Sequence, residues 1–244
     1  MNDSVVIIPT YNEKENIADI IAAVCTLSPA FDVLVIDDNS PDGTADIVKK
    51  IQSTDNNDRL HLIERSAKLG LGTAYLSGFE FALAKGYKFI CEMDADFSHN
   101  PSDLIRLRGT CVEDGFDVAI GSRYISGVNV VNWPLNRVLL SLSASRYVKM
   151  ITGMPIEDPT AGFICYTRNV LERINLKKIQ FIGYAFQIEM KHIAWKAGFK
   201  IKEIPIIFTD RVKGKSKMST SIFKEAFLGV LRMRFSNYKR KLND

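Results

Sequence analysis

The chain has 244 residues, 46% of them hydrophobic and 25% charged, with a formal net charge of +4. A globular protein with a substantial core is expected, as one large α/β domain or two small ones. No stretch reaches the roughly 18 uncharged apolar residues that cross a bilayer, the best being residues 138–145 between Arg137 and Arg146, and residues 1–4 lack the basic and apolar regions of a secretion signal. Cys25, Cys91, Cys111 and Cys165 show no metal-ligand spacing and read as reduced thiols of a cytosolic protein.

Taken in chain order, a strand at 4–8 leads through Pro9-Thr10-Tyr11 to a helix at 13–28, whose start Asn12 marks. A strand at 32–37 ends in Asp37-Asp38, and Ser40-Pro41-Asp42 opens a helix at 42–53. A strand at 59–64 and a helix at 70–86, stopped by Gly86, follow. The strand at 88–94 runs into Asp94-Ala95-Asp96, and Asn100-Pro101-Ser102-Asp103 caps a helix at 101–113 that Gly115 stops. After a strand at 116–121 the strict alternation lapses. A helix at about 134–152 follows Trp133-Pro134, Pro155 and Pro159 bracket a loop, and a strand at 162–167, a helix at 183–198 and a strand at 200–208 complete this part. Strands alternating with helices predict a largely parallel sheet.

The last helix, about 219–235, gathers Ile222, Phe223, Ala226, Phe227, Val230 and Leu231 on one stripe. Residues 211–244 hold ten Lys/Arg against Glu225 and Asp244, so this end is strongly basic and residues 1–210 are net acidic. Such a tail expects an anionic partner. The stripe suits a helix lying in a membrane interface, or one packed on the protein's own core or on another subunit. The simplest division is a main domain over 1–218 and a basic amphipathic extension over 219–244.

Asp94-Ala95-Asp96 is the most suggestive motif. With 17 Asp in 244 residues, about one Asp-x-Asp arises by chance. Its placement at the carboxyl end of a buried strand gives it weight, because ligands of open α/β sheets collect there. Asp37-Asp38 ends another apolar run, so both acidic pairs share one crevice edge. His61, His99 and His192 share no ligand spacing and are given no catalytic role. Gly70-Leu71-Gly72 lacks the third glycine and the acidic ribose ligand of a dinucleotide site, and reads as a helix opening.

In order, the chain presents Pro9-Thr10-Tyr11-Asn12-Glu13, Asp37-Asp38-Asn39-Ser40-Pro41-Asp42-Gly43-Thr44, Lys68-Leu69-Gly70-Leu71-Gly72, Met93-Asp94-Ala95-Asp96, Gly121-Ser122-Arg123-Tyr124, Asp158-Pro159-Thr160-Ala161-Gly162-Phe163 and Arg211-x-x-Gly214-x-Ser216-Lys217. This series, over roughly 4–218, resembles the family-2 glycosyltransferases of the GT-A fold, a Rossmann-like, mostly parallel sheet flanked by helices. Within them it is most similar to the dolichol- or polyprenol-phosphate mannose synthases lacking transmembrane helices.

The resemblance implies that Pro9, Tyr11, Glu13, Ile36 and Asp38 line a nucleotide pocket, joined by Asp94, Ala95, Asp96, Arg211 and Lys217. Guanine offers N–H donors that carboxylates accept, and Tyr11 offers a flat apolar face. It implies Mg²⁺ or Mn²⁺ on Asp94 and Asp96, with Ser98 where relatives often carry Gln. Arg123, Arg137 and Lys217 would hold an acceptor phosphate, and Asp96, Arg123, Asp158 and Arg211 would carry catalysis, Asp158 orienting the sugar or the acceptor.

The implied reaction is inverting transfer of mannose from GDP-mannose to a polyprenyl monophosphate, at the cytoplasmic face of a membrane held directly or through a small membrane subunit. Alternatives are a UDP-sugar donor, giving for example polyprenyl-phosphate glucose, or a non-catalytic protein that binds anions or membranes. A nucleic-acid partner is not expected, since an acidic crevice opposes a phosphate backbone.

Overall fold

A computed structural model describes residues 2–55, 58–183, 185–211 and 220–243. Its strands are β1 (Ser4–Thr10), β2 (Asp32–Asp37), β3 (Leu60–Glu64), β4 (Phe89–Glu92), β5 (Val118–Ser122), β6 (Val130–Val131), β7 (Ile164–Thr167), β8 (Ile201–Pro205) and β9 (Phe208–Thr209). The helices are α1 (Ile17–Cys25), α2 (Thr44–Asp55), α3 (Leu71–Lys85), α4 (Asp103–Val112), α5 (Leu135–Thr152), α6 (Arg168–Arg173), α7 (Ala185–Lys196) and α8 (Thr220–Phe235).

The main sheet runs β3-β2-β1-β4-β7-β5-β8, with only β7 antiparallel to its neighbours among the described strands. From β1 the chain builds outward through β2 and β3, then returns to place β4 on β1's other side. That reversal opens a crevice beyond the carboxyl ends of β1 and β4. Because β7 runs the other way, its amino end lies at the same edge and brings the preceding loop, 158–163, to the crevice. A small parallel pair, β6 and β9, closes one side of it.

Alternation along the strands explains the two-sided core. Val5, Ile7, Leu34 and Ile36 face one hydrophobic cluster, while Val6, Ile8, Val33 and Val35 face another. Successive side chains leave a strand on opposite faces, and helices cover both, so these strands read as unbroken apolar runs. Full burial of each such side chain contributes about 1.5–3 kcal/mol. Close approach of α3 to β1 depends on Gly78, where a Cβ would stand 2.7 Å from the Ile7 side chain.

Three expectations change. The helix expected from 13 begins at Ile17, and Asn12 is a left-handed turn residue (φ 56°) instead of its cap. The N–H groups of Asn12, Glu13 and Lys14 donate to Ser40 Oγ, Thr44 Oγ1 and Asp42 Oδ2, each at 3.0 Å, so the loop after β2 captures them. The strand expected over 200–208 breaks after Pro205, and Phe208–Thr209 turns away to pair with β6. The six-residue α6 and the two-residue β6 were not anticipated.

At the other end α8 packs on α5 and α7. Val230 and Met233 are buried, and Tyr147 stacks on Phe227 at 4.7 Å, yet Phe227, Leu228 and Phe235 remain more than half exposed. The stripe is therefore packed in part on the protein's own helices and exposed in part. The side chains of Ile222, Phe223 and Ala226 lie outside the described set. Among the described residues no helix is long and apolar enough to cross a membrane.

Candidate active site

The nucleotide-side positions converge through strand register. Pro9 and Ile36 are partners across β1 and β2, and the Asp38 N–H donates to the Thr10 carbonyl at 3.0 Å. Tyr11 and Asp38 thus emerge side by side. Ile36 itself is fully buried in the core, so its side chain, contrary to expectation, does not line the crevice surface. Asp37 is a structural residue: its carboxylate accepts from Thr10 Oγ1 (2.8 Å), Ser40 Oγ (2.6 Å) and the Ser40 N–H (2.8 Å), fixing the turn. The buried Glu13 carboxylate accepts from Asn16 at 3.0 Å. Two basic groups complete this wall. Lys68 lies 4.4 Å from the Tyr11 ring centroid, and Arg65 pairs with Asp38 while donating to Thr73 Oγ1 at 2.6 Å.

Asp94, Ala95 and Asp96 follow β4 after Met93. Ala95 is buried and Asp94 half-buried, while the buried Asp96 accepts through Oδ1 from the Ser98 N–H (3.0 Å) and hydroxyl (2.6 Å). Ser98 thereby orients Asp96. Arg211 stands 3.1 Å from the other Asp96 oxygen. Among the described residues no cluster of three or more His, Cys, Asp or Glu forms a protein-only metal cage. Two carboxylate-bearing residues around a small residue nevertheless fit a hard divalent cation that completes its shell with phosphate oxygens and water.

His99, next in line, stacks on Phe163 at 4.7 Å and meets Phe208 edge-on at 5.2 Å. Burial pulls its pKa down to about 4, against an upward pull from Asp96, so the ring is neutral near pH 7. It packs as an aromatic.

Arginines are matched to carboxylates around the crevice. Arg123 forms a bidentate pair with the fully buried Asp158, at 2.7 Å through Nε and 2.6 Å through Nη2. Nη2 also donates to Thr160 Oγ1 at 2.8 Å. Burial pushes the Asp158 carboxyl up, but the Arg123 charge and hydrogen bonds, with Lys191, outweigh it and hold the group below its ordinary range. Arg137 donates to Asp210 at 2.8 Å and lies over the Trp133 ring at 4.0 Å. Asp210 also receives the Arg211 N–H at 3.1 Å, and Thr209 N–H donates to the Ser98 carbonyl at 3.1 Å. A continuous chain thus links Arg137, Asp210, Arg211, Asp96 and Ser98. Lys217 lies outside the described residues.

The structure therefore brings together Pro9, Tyr11, Glu13, Asp38, Asp94, Asp96, Ser98, Arg123, Arg137, Asp158 and Arg211 along one sheet edge. Sequence reasoning missed Arg65, Trp133 and Asp210. Arg65 was within reach of it, since it directly follows the carboxyl end of β3 as Asp38 follows β2. Trp133 was read only as part of a helix start, and Asp210 gave no signal because its ion-pair partner, Arg137, lies 73 residues away along the chain.

This architecture is a GT-A-like fold. It superposes with a TM-score of 0.70 on glucosyl-3-phosphoglycerate synthase from Mycobacterium tuberculosis, crystallised with Mn²⁺, UDP-glucose and phosphoglyceric acid, at 15% identity over 96% of this chain and 80% of that one. Residues 5–179 match the sequence profile of Glycosyl transferase family 2, and the chain belongs to that family. It is 46% identical, over 93% of its length and 85% of the relative's, to polyprenol monophosphomannose synthase of Mycolicibacterium smegmatis. Undecaprenyl-phosphate mannosyltransferase of Micrococcus luteus is 41% identical over 93% of this chain and 91% of its own.

Proposed function

We propose that this chain transfers mannose from GDP-mannose to a polyprenyl monophosphate, with inversion, using a divalent cation such as Mg²⁺ or Mn²⁺. The observation that carries the reading is Arg211 standing 3.1 Å from Asp96, at the sheet edge that also holds Asp94 and the paired Arg123 and Arg137, in a chain 46% identical to a polyprenol monophosphomannose synthase.

The chemistry follows from charge. A polyprenyl phosphate has a second pKa of about 6, so it arrives largely ionised and needs no general base. Catalysis then rests on alignment and on cancelling anion–anion repulsion. Asp94 and Asp96 would hold the cation, which supplies charge stabilisation for the departing diphosphate. Ser98 keeps Asp96 in its rotamer. Arg211, already beside Asp96, is placed to meet donor phosphate, and Arg137, sharing Asp210 with it, to meet acceptor phosphate. Arg123, held by Asp158, would act beside Arg137 on the acceptor phosphate. Tyr11, Asp38, Glu13 and Arg65 would bind the base, with Lys217 of the 212–219 segment reaching the phosphates.

Residues 1–218 form the catalytic unit in this reading, and 219–244 its membrane-facing extension. Exposed Leu135, Leu139, Leu140 and Met150 on α5, with Phe227, Leu228 and Phe235 on α8, support peripheral attachment at the cytoplasmic face. A small membrane subunit on the same surface is the other arrangement that binding to protein-free liposomes distinguishes.

Purified protein incubated with polyprenyl phosphate, Mg²⁺ or Mn²⁺ and either radiolabelled GDP-mannose or UDP-glucose tests the reading. Label should enter the organic phase from GDP-mannose. Transfer from UDP-glucose alone would replace the donor, and none from either, with or without membranes, would overturn the proposal.

A further inference from the structure

Beneath the Asp158–Arg123 pair lies a charge that no motif singled out. Lys191, on α7, is completely buried. Its Nζ donates to the carbonyls of Pro159 at 3.0 Å and Ala161 at 2.5 Å, and to Gln187 of its own helix at 3.2 Å. An ammonium has three donors, and all three are used. Two of the acceptors flank Thr160, whose hydroxyl donates to Asp158 at 3.2 Å and accepts from Arg123. The turn's other side is held too: the Glu157 and Asp158 N–H groups donate to the Glu203 carboxylate at 2.7 and 2.9 Å.

A buried ammonium is costly unless paired and hydrogen-bonded. Here burial pulls the Lys191 pKa down to about 8, while Glu92, Asp158 and Glu203 push it up and Arg123 pushes it down. An apolar side chain of equal size would fill the space at lower desolvation cost. It would leave the Pro159 and Ala161 carbonyls without their donor, and the turn that carries Asp158 without its anchor to α7. That specific use argues for more than packing.

We propose that Lys191 is a positioning residue for Arg123: by tying both sides of Thr160 to α7, it fixes the turn whose Asp158 and Thr160 orient the guanidinium. The proposal rests on the reading of Arg123 as an acceptor-side group in mannosyl transfer. Its effect should therefore appear in the acceptor's kinetics and spare the donor's.

Lys191→Met in the full chain, assayed for mannosyl transfer alongside its melting temperature, should raise KM for polyprenyl phosphate about tenfold while KM for GDP-mannose stays within about twofold. Thr160→Val, which cuts the link between turn and Arg123 without touching Lys191, should give the same acceptor-selective change and decides the matter if Lys191→Met does not fold. In an Arg123→Lys background, Lys191→Met should cost no further factor, because both act through one group. Unchanged acceptor KM in Thr160→Val, or losses that multiply in the double variant, would overturn the proposal. If the wild-type chain transfers no mannose to polyprenyl phosphate, the functional reading fails separately. Amide hydrogen exchange of 158–163 then decides for Lys191, with about tenfold faster exchange expected in Lys191→Met and an unchanged rate contradicting it.

Discussion

At the scale of single residues, Asp158 shows how a buried charge can be both expensive and required. Its carboxylate is fully buried and is kept ionised by Arg123 and Lys191. Removing one partner of such a pair strands the other, at a cost of about 3–5 kcal/mol. Asp158→Asn should therefore destabilise the protein strongly and abolish most transfer. The sign of the pH dependence follows from the lowered carboxyl pKa. Its stabilising contribution is complete above the ordinary value of 3.8 and is lost as pH falls through the still lower folded value. In urea unfolding, the gap between wild type and Asp158→Asn should be constant from pH 5 to about 7, below the range where Lys191 titrates, and narrow toward pH 3. A gap as wide at pH 3 as at pH 7 would contradict the assignment.

At the scale of elements, the carboxyl ends of β1, β2 and β4 were legible because the apolar runs at 5–8, 33–36 and 89–93 lead into Tyr11, Asp38 and Asp94. The helix α8 was legible from the helical spacing of its apolar stripe. What the sequence could not show were choices made by distant partners. The start of α1 is set by Ser40, Asp42 and Thr44, and the pairing of β6 with β9 involves two residues on each side, too few to mark a pattern. The carboxy-terminal turn, residues 238–241, is another such case. Lys241 pairs with the buried Glu189 of α7, which also accepts the Gln180 and Phe181 N–H groups at 3.0 Å. Lys241→Met should lower unfolding free energy by about 3 kcal/mol while transfer at 25 °C persists, since the pair lies apart from the crevice. Loss of transfer with unchanged stability would place Lys241 in the active machinery instead.

At the scale of the whole molecule, a single sheet edge gathers positions spread from Pro9 to Arg211, because parallel strands point their carboxyl ends one way and the reversed β7 adds its amino end. Acid and base alternate along that edge in the pairs Arg65–Asp38, Arg123–Asp158, Arg137–Asp210 and Arg211–Asp96. In the proposed reading Asp94 and Asp96 would grip the donor diphosphate, while Arg123 and Arg137 would take the phosphate of the lipid acceptor. The ordered motif series marked these positions before any coordinates, whereas the ion-pair lattice of Arg65, Asp210 and Lys191 emerged only from the folded chain. The most direct test of the account compares wild type with Asp96→Asn in transfer of radiolabelled mannose from GDP-mannose to polyprenyl phosphate, with and without a chelator, alongside thermal unfolding. The account predicts organic-soluble product from wild type that chelation abolishes, and a loss of about 100-fold or more in Asp96→Asn with folding retained. Undiminished, chelator-resistant transfer by Asp96→Asn would contradict it.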